Sequence, residues 1–264
     1  MIIDACLFFQ EYDMLEFRLK YLWDVVDRFV IVESDRTFSG ERKTLNFFNN
    51  KDRFQWAMDK IVYYPVEIDV TGLDFSIKPD EYDTEAPQWK VEAQQRDAII
   101  DACEKFSDED ILMVSDCDEI PSTQVVKFRS DHDIKNPFIC QQVVSVYSLD
   151  YLCPTPWGGT MVCNLGYARD KGVQAMRSMR ELFSPMSRAG WHLTFFGGAE
   201  QVQKKIQSYS HQELNKPEYT DLKHIEDCIK NGASIWPDEN QLVKVDKDFY
   251  PKEFLDKCPK EWWQ

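Results

Sequence analysis

The sequence predicts an α/β fold, a mainly parallel sheet with helices on both faces. Three observations carry that expectation. Short apolar runs alternate with segments whose apolar residues recur at helical spacing. Hydrophobic residues make up 43% of the 264, with only 10 Gly and 12 Pro, the balance of an ordinary folded chain. A cluster of acids follows directly on one apolar run, at the strand end where open parallel sheets bind ligands.

Taken in order, residues 2–9 read as a buried strand. Leu15, Leu19, Leu22 and Val26 then mark a helix, and Phe29 to Val32 a second strand ending at Glu33-Ser34. A short helical piece near 51–59 precedes a third strand at Ile61 to Tyr64. Residues 67–88, rich in acids with Gly72, Pro79 and Pro87, read as a long surface loop of the kind that is usually functional or mobile. Ala98, Ile99, Ala102, Cys103 and Phe106 mark the next helix, and 110–114 a strand running into Ser115-Asp116-Cys117-Asp118-Glu119-Ile120-Pro121. Pro121 and Ser122 open a further helix. Strands at 137–146 and 160–164 are separated by a Pro/Gly/aromatic loop at 153–159. Val202, Ile206 and Tyr209 mark one late helix; Leu222, Ile225 and Ile229 mark another, stopped by Asn231-Gly232. The tail, with Trp236, Trp262 and Trp263, wraps or caps. With no repeat and no linker, one domain is expected over 1–264.

Charge narrows the function. With 31 Lys+Arg against 46 Asp+Glu the net charge is −15, which argues against a nucleic-acid surface or adhesion to anionic lipid. No run approaches the ~20 apolar residues of a membrane span. The N-terminal run, broken by Asp4 and without basic residues, reads as a strand rather than a signal peptide. The eight cysteines form no C-x-x-C pair and read as buried thiols of a reducing compartment, so a cytoplasmic location is expected.

Asp116 and Asp118 stand two apart, so in an extended segment their carboxylates share one side. Such a pair can hold Mn²⁺ or Mg²⁺ and leave positions for water and substrate phosphate. This is the D-x-D arrangement of nucleotide-sugar transferases; a helix-capping turn is the plainer alternative.

Four blocks in order resemble the glycosyltransferase family 17 proteins, the β-1,4-mannosyl-glycoprotein 4-β-N-acetylglucosaminyltransferase family. Asp13 to Leu19 through Asp24 to Val30 and Glu33-Ser34, continued by Thr37, Gly40 and Leu45, is similar to the family's first block. Glu92-Gln95-Arg96, Asp116 to Pro121, and Ala189-Gly190-Trp191-His192 match the other three. The resemblance implies a GT-A fold, a UDP-sugar donor, UDP-GlcNAc above all, a glycan acceptor, a divalent metal (Mn²⁺ or Mg²⁺) and an inverting displacement. It also implies that residues 1–121 form the nucleotide-sugar-binding half and 122–264 the acceptor and catalytic half with the C-terminal tail. The loops at 67–88 and 147–160, where an acceptor would be read, look unlike the family's.

Roles follow from the resemblance. Asp118 is expected to touch the metal, Asp116 the metal or the donor ribose, and His192 to complete the shell or, equally, to orient a loop from a buried position, with His211 as the competing choice. Glu119 could join the metal or cap the helix that follows. Glu200, Glu181 and Asp150 are candidate bases, with helix capping equally open to Glu200. Phe8, Glu11, Glu33 and Ser34, at the ends of the first two strands, would face the nucleotide. Arg96 would pair with diphosphate or with the acidic cluster, and Lys43 is a further phosphate candidate. Trp157 would stack on an acceptor sugar or pack on the sheet. A nucleotidyltransferase is the rival enzyme, although residues 8–14 lack the glycines of a phosphate loop. A non-catalytic glycan-binding protein on the same fold is the third reading.

Overall fold

The computed structural model describes residues 1–76, 79–131, 136–237 and 241–263. Its elements run β1 (Ile2–Leu7), α1 (Tyr12–Leu22), β2 (Arg28–Ser34), α2 (Asn46–Asn49), β3 (Ile61–Val66), α3 (Pro87–Ala102), β4 (Ile111–Asp116), β5 (Glu119–Pro121) and α4 (Thr123–Asp131). They continue with β6 (Phe138–Val146), β7 (Tyr151–Asn164), α5 (Leu165–Lys171), α6 (Val173–Ser178), β8 (Ser184–Met186), β9 (Gly190–Thr194) and α7 (Ala199–Ser208). Last come α8 (Pro217–Thr220), α9 (Leu222–Asn231), β10 (Val243–Lys244) and α10 (Lys252–Leu255).

One ten-stranded sheet spans both halves of the chain, in the order β3-β2-β1-β4-β7-β6-β9-β5 with β8 and β10 beside β6 and β7. The β3-β2-β1-β4 part is parallel, as the β-α-β rhythm predicts. Beyond β4 the sheet is mixed, because β7 runs antiparallel to both β4 and β6. Alternation along β1 explains the two-sided cover. Ile3, Ala5 and Leu7 face a core shared with α3, α5 and α6, whereas Cys6 faces the core under α1 and the C-terminal α10. Helices therefore cover both faces, as expected of the GT-A arrangement.

Two local expectations are corrected. The segment 153–159 is not a loop but the middle of β7, with Trp157 opposite Gln142 and Gly158 opposite Gln141. Pro154 and Pro156 are tolerated there because the register with β6 shifts between Gln142 and Val144, so the missing N–H groups break no regular ladder. Pro121 ends β5 instead of opening a helix; Ser122 does the capping, its Oγ accepting the Val125 N–H at 3.2 Å. Between β3 and α3 the described residues of the 67–88 loop carry no helix or strand; 77–78 lie outside the described set. Gly232, at φ +60, closes α9 as Asn231-Gly232 predicts. All eight cysteines are free. Among the described residues no helix is long and apolar enough to cross a membrane.

Candidate active site

A cleft of about 1090 Å³ opens at the carboxyl ends of β1, β2 and β4. Its wall includes Phe8, Glu11, Ser34, Lys43, Asp116 and Asp118. The strand register sets this edge, since Leu7 is level with both Val32 and Asp116.

The turn that carries the acids is fixed from beneath by Arg18. This residue lies on the apolar face of α1 among Leu15, Leu19 and Leu22 and is fully buried. Its Nε and Nη2 donate to the Asp4 carboxylate at 2.7 and 2.6 Å, and Nη2 also to Ser115 Oγ at 2.6 Å. Nη1 donates to the carbonyls of Asp116, Cys117 and Glu119 at 3.1, 3.3 and 2.8 Å. A guanidinium has enough fixed donors to satisfy several carbonyls of a tight turn at once.

Strand pairing brings the second motif to the first. β5 pairs antiparallel with β9, setting Glu119 opposite His192, and Leu193 N–H donates to Asp118 O at 2.9 Å. Gly190 permits the approach: a Cβ there would stand 2.1 Å from Ile120 O. His192 Nε2 consequently lies 3.6 Å from Asp118 Oδ2.

The chain's own cations surround these carboxylates. Asp116 Oδ1 is 3.0 Å from Arg96 and Oδ2 is 3.0 Å from Arg177. Burial would raise the Asp116 carboxyl, but the two guanidiniums overcome it and bring it down to about 2. Burial also works against ionised Asp118, and there the Lys205 ammonium at 2.6 Å, with His192, holds the carboxyl far below the usual range. Glu119 is fully buried and saturated: Trp157 Nε1 and Arg177 Nη2 donate to Oε1 at 2.6 and 2.8 Å, while the Asp116 N–H donates to Oε2 at 3.0 Å. Glu119 thus clamps the turn and has no oxygen left for a metal.

Among the described residues no group of three or more His, Cys, Asp or Glu side chains converges as a metal cage. The donor set nonetheless suits a hard cation at one point. Asp118 Oδ2 and His192 Nε2, 3.6 Å apart on the cleft wall, could together hold one ion, with its remaining positions open to water or a substrate oxygen. Asp116, both of whose oxygens face guanidiniums, suits it less.

The remaining expected residues divide. Phe8, Glu11, Ser34, Lys43, Trp157 and Glu181 line the cleft. Glu33 does not: its carboxylate accepts from Lys43 Nζ, the Asn46 and Phe47 N–H groups and Tyr63 OH, at 2.5–3.0 Å, so it anchors the start of α2. Alternation along β2 turns Glu33 away from its neighbour Ser34, whose Oγ meets Gln95 Oε1 at 2.9 Å. Arg96 is 1% exposed and pairs with Asp116 and Glu92, the acidic-cluster alternative rather than direct contact with donor. Trp157 is no open platform, because the Arg180 guanidinium lies 4.3 Å from its ring centroid. Of the candidate bases only Glu181 is on the wall. Glu200 is exposed on the first turn of α7, outside the lining, and Asp150 is buried against Ser148 at the β6–β7 turn. His211 lines the cleft but is engaged by Glu213 at 2.7 Å and by the rings of Tyr82 and Trp89.

Sequence reasoning missed Arg18 as an anchor and Arg177, Arg180 and Lys205 as cleft cations. An arginine on the apolar stripe of a helix was the available signal for Arg18. Lys205 stands between the buried Val202 and Ile206 on α7, a weaker signal, and nothing local marks Arg177 or Arg180.

The family model described as Glycosyltransferase family 17 matches residues 1–241. The chain is similar to β-1,4-mannosyl-glycoprotein 4-β-N-acetylglucosaminyltransferase of Rattus norvegicus and of Homo sapiens. Each is 24% identical over 277 residues, covering 91% of this chain and 49% of the relative. The chain therefore spans about half the length of the curated relatives it matches. Among solved structures, HddC from Yersinia pseudotuberculosis aligns at TM-score 0.41 and 12% identity over 71% of this chain and 91% of that one. The galactosyltransferase LgtC, in complex with donor and acceptor sugar analogues, aligns at TM-score 0.33 and 13% identity over 81% and 69%. A match running through both acidic turn and β9, the two segments the fold pairs at the cleft, leaves one conclusion: the chain belongs to glycosyltransferase family 17.

Proposed function

We propose that this protein transfers a sugar, GlcNAc in the first instance, from a UDP-sugar to a glycan hydroxyl with inversion at the anomeric carbon. The observation that carries the reading is the cleft itself. In a family 17 chain, two ionised aspartates at a strand end stand beside Lys205 and Arg180, cations suited to a diphosphate. Burial and the neighbouring Arg177 both weaken Arg180's hold on its proton, so an anion entering there would be stabilised. The named activity of the rat and human relatives supports GlcNAc as the sugar.

The donor's nucleotide would lie along Phe8, Glu11, Ser34 and Lys43, with its diphosphate toward Arg180 and Lys205. Mn²⁺ or Mg²⁺ held by Asp118 and His192 would supply Lewis-acid neutralisation of the leaving diphosphate. The acceptor oxygen attacks the anomeric carbon as the bond to the diphosphate oxygen breaks, and the leaving electron pair stays with UDP. Glu181, exposed on the wall, takes the acceptor's proton; Asp116 and Asp118, with lowered pKa values, are poor bases. Tyr82, Thr84 and Glu85, ahead of α3, and the 180–182 turn flank the cleft and would read the acceptor.

A donor panel with UDP-sugars, other nucleotide sugars and nucleoside triphosphates, scored for released nucleotide and for a labelled glycan, tests the reading. Release of UDP from UDP-GlcNAc is expected, with kcat lowered about 10²–10⁴-fold in Glu181→Gln. No turnover and no UDP binding across the panel would overturn it, and turnover of a triphosphate would favour the nucleotidyltransferase.

A further inference from the structure

Lys205 is held in a place that the chemistry of the cleft gives to a divalent cation. Its ammonium donates to Asp118 Oδ2 at 2.6 Å and to Thr194 Oγ1 at 3.2 Å, and it lies 5.2 Å from the Phe195 ring. The same Asp118 oxygen faces His192 Nε2 at 3.6 Å, so two protein ligands for a hard ion stand together at this edge of the cleft. A metal ion bonded to that oxygen would sit about 2.0–2.6 Å from it. The ammonium already occupies that shell, and two cations cannot share it without strong repulsion. Lys205 is anchored at its base by the buried Val202 and Ile206 of α7, yet its side chain is 28% exposed to the cleft, so the head can swing while the helix stays.

We propose that Lys205 is the resident counter-ion of Asp118, that it competes with the divalent cation for this carboxylate, and that metal and anionic donor consequently bind cooperatively through it. The proposal rests on the diphosphate donor of the preceding reading. Metal entry releases the Lys205 ammonium, which is left without its acid. A diphosphate in the same cleft gives it a new partner, so each ligand favours the other, and linkage makes that preference reciprocal. Donor-free protein would then hold metal weakly, and metal would load with the nucleotide.

The test is calorimetric titration of Mn²⁺ into the wild-type protein and into Lys205→Met, each with and without UDP. Without UDP, Lys205→Met is expected to bind Mn²⁺ about tenfold tighter or more, equivalent to about 1.4 kcal/mol. The gain should vanish when Asp118→Asn is added, and Lys205→Arg, which keeps the charge, should stay near wild type. UDP should improve Mn²⁺ affinity by a larger factor in the wild type than in Lys205→Met. Unchanged or weaker Mn²⁺ binding in Lys205→Met overturns the competition, as does a gain that survives Asp118→Asn. Should Lys205→Met fail to fold, Lys205→Gln carries the same comparison. Mn²⁺ affinity is read without turnover, so a protein that binds Mn²⁺ as expected but neither binds UDP nor turns over any nucleotide sugar would sink the functional reading and the cooperativity with donor, and leave the competition at Asp118 standing.

Discussion

Arg18 shows how one buried residue can set a functional turn. It contributes nothing to the cleft surface, yet its Nη1 is the common donor for three carbonyls of the segment that presents Asp116 and Asp118. Arg18→Ala leaves the Asp4 carboxylate buried without its partner. Unfolding in urea should show a loss of about 3–5 kcal/mol, the usual effect of breaking a buried ion pair. Asp4→Asn/Arg18→Met, which removes both charges, should recover part of that loss. Arg177 acts at the same scale by bridging Asp116 and Glu119. In Arg177→Ala the Asp116 carboxyl loses one of its two cations, so its pKa should climb from about 2 toward the ordinary aspartate value, as carbon-13 NMR titration of labelled Asp would read.

At the scale of elements, the junction of β5 and β9 joins two motifs that are some seventy residues apart. It holds only because Gly190 lets the strands approach, with Ile120 O where a Cβ would be. Gly190→Ala should force β9 away from β5, costing about 1–3 kcal/mol as overpacking does. A lower urea midpoint would register the cost, and weaker Mn²⁺ binding would register the displacement of His192 from Asp118. Ser122 works at the start of α4. Ser122→Ala removes the cap on Val125 N–H and should lower stability by about 1 kcal/mol without touching nucleotide binding, which separates a structural loss from a functional one.

For the whole molecule, a charge of −15 conceals a cleft in which acids and bases are interleaved. Asp116 and Asp118 carry lowered pKa values in the folded state, so they bind fewer protons than in the unfolded chain as acid is added. Their stabilising contribution is complete above the ordinary aspartate pKa of about 4 and is lost as pH falls through about 2, lower still for Asp118. Thermal melts from pH 7 to pH 2 should therefore show the difference between wild type and Asp118→Asn narrowing on acidification. A difference that widened toward pH 2 would contradict this.

Read along the chain, the sequence determined the α/β class, the parallel strands of the first half, the helices on both sheet faces and the acidic turn at a strand end. Each rests on local periodicity or on adjacent residues: Leu15, Leu19 and Leu22 for α1, Asp116 and Asp118 for the turn. The continuity of β7 through Pro154 and Pro156 was hidden, because a register shift with β6 is a property of two strands and not of one. Only the tertiary structure decided which carboxylates are free to work. Glu33 and Glu119 are spent on anchoring, Glu200 and Asp150 lie outside the cleft, and Lys205 and Arg177 arrive from distant helices to neutralise Asp118 and Asp116. Charge pairing across a fold depends on distances between side chains far apart in sequence, and composition carries the total charge without its arrangement.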